Sequence, residues 1–285
     1  MYILMVLISA CFLGCYDVLK KVSLKQSSVY EMLFFSCACG FLVSLFFIGG
    51  GISLGIVDLL LILLKSVIIV GDWILVAKCV KKLDVAIVVA ASLINTLLTV
   101  LGSYIFFGEP LGFIHLFSLL FISVGIMLIT KIEKKDNPKE AKNDYKYLVF
   151  LFVASLLGAC SGLLDKYILN YRHVSHNEIL MFFLLFNAII YFVIYFIKNK
   201  KIEFKKLKSN FYMILTGVSI ALADIFYYYS ITMEGSQISL VSILRKSSVI
   251  VATILASVFL KEKHLLKKLG VLVIMLVGVA LPIIF

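Results

Sequence analysis

The sequence predicts an all-α polytopic membrane protein, with ten transmembrane helices as two inverted five-helix repeats, and three observations predict it. Apolar residues make up 62% of the 285 positions and charged residues 15%. That leaves too little polar surface to solvate a globule of this length and makes lipid the main solvent. Apolar runs near the roughly 20 residues that a ~30 Å hydrocarbon core demands recur along the whole chain. Of the 27 Lys and Arg residues, 22 fall in alternate connections between those runs. Alternating strands with one polar face are absent, so the spans are helices, which satisfy their own backbone where lipid offers no hydrogen bonds.

Span 1, 2–22, has no basic start and runs through Gly14 and Asp17 into Lys20 and Lys21 without a small-residue cleavage pattern, so it reads as a retained helix and not as a signal peptide. Span 2, 31–51, holds Cys37 and Cys39, which lie about 200° apart around a helix and cannot chelate one ion from one face. Span 3, 57–79, carries Lys65, Asp72 and Trp73. Span 4, 85–107, holds Asn95 and runs out into Gly108 and Glu109, and span 5 covers 111–130. The polar stretch 131–146, KIEKKDNPKEAKNDYK, contains Pro138 and reads as a cytoplasmic linker between a first repeat, 1–130, and a second, 147–285. Spans 6 to 10 follow at 147–169, 178–197, 210–233, 237–260 and 267–285. The six cysteines, Cys11, Cys15, Cys37, Cys39, Cys79 and Cys160, all sit in apolar runs, where a thiol behaves as a small hydrophobe and no disulfide framework or metal-ligand spacing emerges.

The lysines orient the chain. They cluster at Lys20 to Lys25, Lys78 to Lys82, Lys131 to Lys146, Lys198 to Lys208 and Lys261 to Lys268. By the positive-inside rule these odd-numbered connections are cytoplasmic and both termini lie outside a cell membrane. The net charge of +11 is then accounted for by short loops facing anionic lipid, and no nucleic-acid partner is expected.

Local patterns recur on either side of the linker. LGCYDVLKK at 13–21 is echoed by LGACSGLLDK at 157–166, GDWILVAK at 71–78 by ADIFYYYS at 223–230, and SYIFFGEPLG at 103–112 by SVFLKEKHLL at 257–266. With an odd number of spans per half, the second copy enters the membrane upside down. At these residues the chain resembles the EamA-type permeases of the drug/metabolite transporter superfamily. The resemblance rests on Gly14 followed by Lys20 in helix 1, Gly108-Glu109 after helix 4 and Lys261-Glu262 after helix 9, and it spans nearly the whole chain. Where many relatives carry a proline in the middle of helices 4 and 9, this chain has Asn95-Thr96 and Ser248-Val249, which signal no break. The resemblance implies a transporter of a small-molecule solute in a lipid bilayer, as a monomer or homodimer. Relatives handle amino acids, nucleotide sugars, drugs and other metabolites, and they are often drawn with both termini cytoplasmic, opposite to the lysine count.

Charges inside the spans carry the functional reading. An ionisable group at the bilayer centre costs about 2.5–3.5 kcal/mol on insertion scales, so Lys65, Asp72, Asp224, Arg245 and Lys246 face the bundle interior, a water-filled cavity or a partner. Asp224 lies about eleven residues before the turn at Glu234-Gly235 and Arg245 about ten after it, which puts both roughly 15–16 Å below that turn on adjacent helices. They form either a structural salt bridge or a neutralised pair that leaves an Arg245 donor turned to a cavity. Lys246 lies about 100° round from Arg245, so the two cannot point at the same atom, and one of them snorkels or contacts another helix. Asp72 matches Asp224 in the repeat and either lines the same cavity or is a buried partner of Lys65, Lys78 or Asn95. Trp73, Tyr227 and Tyr228 add rings with polar handles, with Tyr229 next to them. Asp17, Lys20, Lys21, Asp165 and Lys166 read as interfacial anchors near span ends, and Glu109 and Glu262 as caps or gate edges.

The expected function is therefore a permease for a zwitterionic or anionic metabolite, with Lys65, Asp72, Trp73, Asn95, Asp224, Tyr227, Tyr228 and Arg245 at the solute and proton coupling through one of the aspartates. An alternative is a proton-coupled exporter of cationic or amphipathic compounds, or a receptor or assembly subunit. An intramembrane enzyme is disfavoured. His115, His173, His176 and His264 are scattered, His173 and His176 being at best an adventitious metal pair, and no catalytic constellation or cofactor motif appears.

Overall fold

The computed structural model of the chain describes residues 1–48, 53–82, 85–110, 112–136, 145–199, 210–259, 270–271, 273–278 and 281. Among these residues the regular structure is helical throughout. The helices are α1 (Tyr2–Gln26), α2 (Val29–Leu45), α3 (Ile56–Lys82), α4 (Val85–Phe107), α5 (Phe113–Asp136), α6 (Tyr145–Lys166), α7 (His176–Asn199), α8 (Tyr212–Thr232), α9 (Ile238–Arg245) and α10 (Ser248–Phe259). Helical backbone returns at 270–271 and 273–278, here α11. A π-helical turn, Tyr167–Tyr171, extends α6.

Among the described residues six helices are long and apolar enough to cross a membrane: Tyr2–Gln26, Ile56–Lys82, Lys146–Tyr171, His176–Lys198, Tyr212–Thr232 and, taken across its break, Ile238–Ala256. Val29–Leu45, Ser92–Phe107 and Phe113–Gly125 are apolar but shorter. Much of the expected tenth span, with Lys261, Glu262 and His264 before it, lies outside the described residues.

Local chemistry sets several boundaries. Ser28 starts α2 as a capping box, its hydroxyl accepting from the Glu31 N–H at 3.2 Å while Glu31 accepts from the Ser28 N–H at 3.3 Å. The α8–α9 hairpin turns at Gly235, whose φ of 74° is open to glycine at no steric cost. Three expected boundaries move. Helix α2 ends at Leu45, short of the expected 51, and α5 continues six residues into the expected linker, to Asp136. The third is the expected continuous span 237–260, which is two helices. Between them the N–H groups of Lys246, Ser247, Val249 and Ile250 bond three residues back, each at 3.0 Å, which tightens the helix into a 3₁₀ turn without any proline.

The packing crosses the chain's midpoint. Helix α1 lies along α8 and α10, α2 along α7 and α8, α3 along α6 and α7, and α4 along α6, α5 and α9. Contacts between α1 and α2, or α3 and α4, are slight. Two glycines permit close approaches in matching places. A Cβ on Gly14 of α1 would lie 2.7 Å from Val251 Cβ and 2.8 Å from the Ser248 carbonyl of α10, and one on Gly158 of α6 would strike the Asn95 carboxamide of α4. The buried apolar core runs through Val6, Ile62, Ile168, Ile179, Leu184 and Val241, and it leaves a polar hollow to one side.

Candidate functional site

A cavity of about 390 Å³ opens between α1, α3, α4, α6, α8, α9 and α10. Its wall reaches Lys20 and Lys21 on α1, Val80 on α3, Val88 on α4 and Ala256 on α10, and in the other direction ends at Lys65, Asp165 and Tyr228. The hollow therefore extends to the lysine-bearing ends of the helices and stops short of the opposite ends.

Polar ties close that opposite face. Glu109, in the turn after α4, is 6% exposed. Its Oε1 accepts from the Ile238 N–H at 2.8 Å, and its Oε2 accepts from the Ser239 N–H at 3.0 Å and the Ser239 hydroxyl at 2.6 Å. Lys166, at the end of α6, is ion-paired to the same carboxylate. Burial pushes the Glu109 carboxyl up, but the bonds from Lys166, Ser239 and Ile238 outweigh it and hold the group below the usual glutamate value. Arg172 meets Asp58 at 2.8 Å, and Glu178 accepts from the Ser53 N–H at 2.6 Å.

Beneath this seal lies the first charged layer. Lys65 of α3 is 1% exposed, donates to the Tyr228 hydroxyl, sits 2.7 Å from Asp165 Oδ1 and stands 3.7 Å above the Phe183 ring. The ammonium approaches Asp165 Oδ1 outside hydrogen-bond alignment, so that oxygen is contacted but not bonded. Asp165 and Lys166 are thus buried pair members and not the interfacial anchors that the sequence suggests. Their positions near a span end are real, but both side chains are buried, Asp165 against Lys65 of α3 and Lys166 against Glu109 after α4.

The second layer is the pair Asp224–Arg245, Nη2 to Oδ1 at 2.6 Å, with the guanidinium 4.1 Å over the Tyr227 ring. Arg245 Nε is buried and has no hydrogen-bond partner. Lys246, at the break between α9 and α10, reaches across to the Ser92 hydroxyl of α4 at 3.1 Å. Below it, Asp72 and Asn95 share a corner against Gly158. Among the described residues Asp72 has no ion-pair partner, and the charges it feels are Lys20 and Lys246. Trp73 turns its edge to Phe183 at 6.1 Å. At the mouth, Lys20 pairs with Asp17 at 2.9 Å and covers the Tyr16 ring.

All eight residues singled out from the sequence, Lys65, Asp72, Trp73, Asn95, Asp224, Tyr227, Tyr228 and Arg245, stand on the cavity wall. Tyr229 does not; it is 42% exposed and packs on His176 at 4.4 Å. Among the described residues no group of three or more metal-binding side chains occurs. The sequence reading missed Asp165 as a cavity residue, and it missed Asp17, Lys20 and Ser92 at the mouth and wall.

The EamA-like transporter family matches the chain over residues 1–131 and again over 145–284. No curated protein matches it. One solved crystal structure superposes with a TM-score of 0.74 at 14% identity, covering 97% of this chain and 94% of that one, a likeness of fold alone.

Proposed function

The chain belongs to the EamA-like transporter family, and from that premise we propose that it is a secondary permease moving a small zwitterionic metabolite across the cell membrane by alternating access. The family is one of membrane transporters, so the chain is a multi-pass membrane protein whose partners are a solute and the bilayer. In the proposed arrangement, ten spans form two inverted five-helix bundles, and the cavity opens to the cytoplasm through the lysine-bearing face. The pairing of contacts supports the inversion. Exchanging the halves turns α1 on α8 into α6 on α3, and α1 on α10 into α6 on α4, and each of these pairs is packed.

The observation that carries the substrate class is a pair of groups on one wall: the Asp72 carboxylate, without an ion pair, and the partly exposed Arg245 guanidinium, which meets Asp224 through Nη2. A carboxylate without a fixed cation and a guanidinium that keeps part of its surface exposed suit a ligand that brings a cation and an acceptor. Asp165 also alters the charge balance. Inward of Asp17, Lys20 and Lys21 at the mouth, three cations against two carboxylates, the count from sequence, becomes Lys65, Arg245 and Lys246 against Asp72, Asp165 and Asp224. A balanced inner wall disfavours a purely anionic solute and a purely cationic one alike. Asp72, the carboxylate without a fixed cation, is the group proposed to couple transport to protons.

Counterflow in proteoliposomes, run with amino-carboxylate zwitterions, monocarboxylates and monoamines, tests this reading. Exchange of zwitterions in preference to the other two classes is expected. Exchange of monoamines alone would favour the cationic exporter, and no exchange or thermal stabilisation by any class would favour a receptor.

A further inference from the structure

Of the polar ties between the two halves on the closed face, the one at Glu109 holds a helix that ends in the binding wall. Helix α9 is eight residues long, about 10 Å between its first and last Cα atoms. At its first turn, the Ile238 and Ser239 N–H groups and the Ser239 hydroxyl all donate to Glu109. Its last residue is Arg245, paired with Asp224, and beyond it the helix tightens at Lys246 and Ser247 before α10 begins. A mid-helix 3₁₀ turn is a recurrent hinge position. The carboxylate that holds the far end is also the partner of Lys166, so a single side chain joins the α4–α5 turn, the end of α6 and the start of α9. No other acceptor for the Ile238 and Ser239 N–H groups is present among the described residues.

We propose that Glu109 is the latch of the closed face, and that its release lets α9 swing about the Lys246–Ser247 turn and carries Arg245 with it. This rests on the permease reading, but the latch is a statement about two conformations of the protein and needs no solute. In the closed state the three donors of α9 and the Lys166 ammonium share one carboxylate. When the face opens, water replaces the carboxylate at all four. Glu109 touches no solute and acts through Arg245, so it is a positioning residue. Its held-down protonation means that a change of contacts near neutral pH, and not uptake of a proton, opens the latch.

The test uses the full chain without its native cysteines, with Phe113→Cys and Glu234→Cys carrying spin labels. Both positions are exposed, one beside the Glu109 turn and the other beside the start of α9. In the Glu109 parent, one short interlabel distance is expected to dominate. Glu109→Gln leaves one side-chain oxygen for two backbone donors and removes the Lys166 pair, so a longer population is expected to grow by about tenfold, the worth of one charge-assisted hydrogen bond. Lys166→Met and Ser239→Ala are expected to shift it in the same direction by less. A folded Glu109→Gln protein that melts earlier yet keeps the parent distances makes Glu109 an ordinary cap and overturns the proposal. If Glu109→Gln fails to fold, unchanged distances in both lesser variants overturn it equally. Failure of the counterflow assay with the distance shift intact removes the solute reading and spares the latch.

Discussion

Lys65 and Asp165 stand 2.7 Å apart at the closed end of the cavity, a lysine of α3 and an aspartate of α6 a hundred residues away in sequence, both almost sealed from solvent. Neither charge is tolerable there alone. Lys65→Met is expected to lower stability by about 3–5 kcal/mol, because it strands the Asp165 carboxylate, and Asp165→Leu by a similar amount. The double variant Lys65→Met with Asp165→Leu is expected to recover most of that loss. Thermal unfolding in detergent for the three proteins checks the cycle, and additive single losses would refute the coupling.

Arg245 is paired with Asp224 through Nη2 and keeps part of its side chain exposed to the cavity. Arg245→Lys keeps the charge opposite Asp224 but has no planar fork to present a second donor to a solute. Solute affinity is expected to fall by about ten- to hundredfold, the range for a lost hydrogen bond to a charged group, with thermal stability nearly kept. Titration calorimetry with the counterflow substrate measures it.

Asp72 predicts the reverse pattern. It lacks an ion pair, so Asp72→Asn removes an unpaired charge from within a membrane span and is expected to leave stability equal or higher. Transport is expected to lose its pH dependence. Uptake rates across a pH series in wild type and variant decide this, and parallel profiles would take coupling away from Asp72.

The two close-approach glycines separate packing from function. Gly14→Ala drives a methyl into the Ser248 carbonyl and Val251 Cβ, neither of which can rotate away, and is expected to cost about 1–3 kcal/mol. Gly158→Ala meets the end of the Asn95 side chain, which can turn. It is expected to keep stability and to change solute affinity by moving Asn95 on the wall. Melting curves paired with binding curves distinguish the two.

Glu109 links stability to pH in a defined direction. Its folded value lies below the ordinary 4.5, so its stabilisation is complete above that value and is lost as pH falls through the lowered one. The stability gap between wild type and Glu109→Gln is expected to be constant above about pH 5.5 and to narrow below the ordinary value, as protonated glutamate comes to resemble glutamine. Melting temperatures of both proteins across that range test the sign.

The level pairing of Asp224 and Arg245 was legible in the sequence because depth along a helix is one-dimensional: residues counted from a shared turn, multiplied by rise, put both side chains at one height. The same arithmetic ranks Asp165 as near a span end, yet it carries no information on which helices cover that end, and there it misjudged both Asp165 and Lys166. Their partners, Lys65 and Glu109, are supplied by α3 and by the turn after α4 from the other half of the chain. The break at Lys246–Ser247 left no trace for a different reason. Neither residue is a breaker, and the tightening fits a segment whose side chains are drawn to Asp224 on one side and Ser92 on the other.

The midpoint-crossing packing has a consequence for biogenesis. Helix α1 finds its principal neighbour in α8, so nearly three-quarters of the polypeptide leaves the ribosome before the Asp17–Lys20 stretch gains its lasting shelter. Until then the nascent protein holds charged helices in the bilayer with the wrong company, and quality control sees them. A message cut short before Tyr212 is thus expected to yield a substrate for membrane proteases, and two separately translated halves are expected to protect one another only when made together.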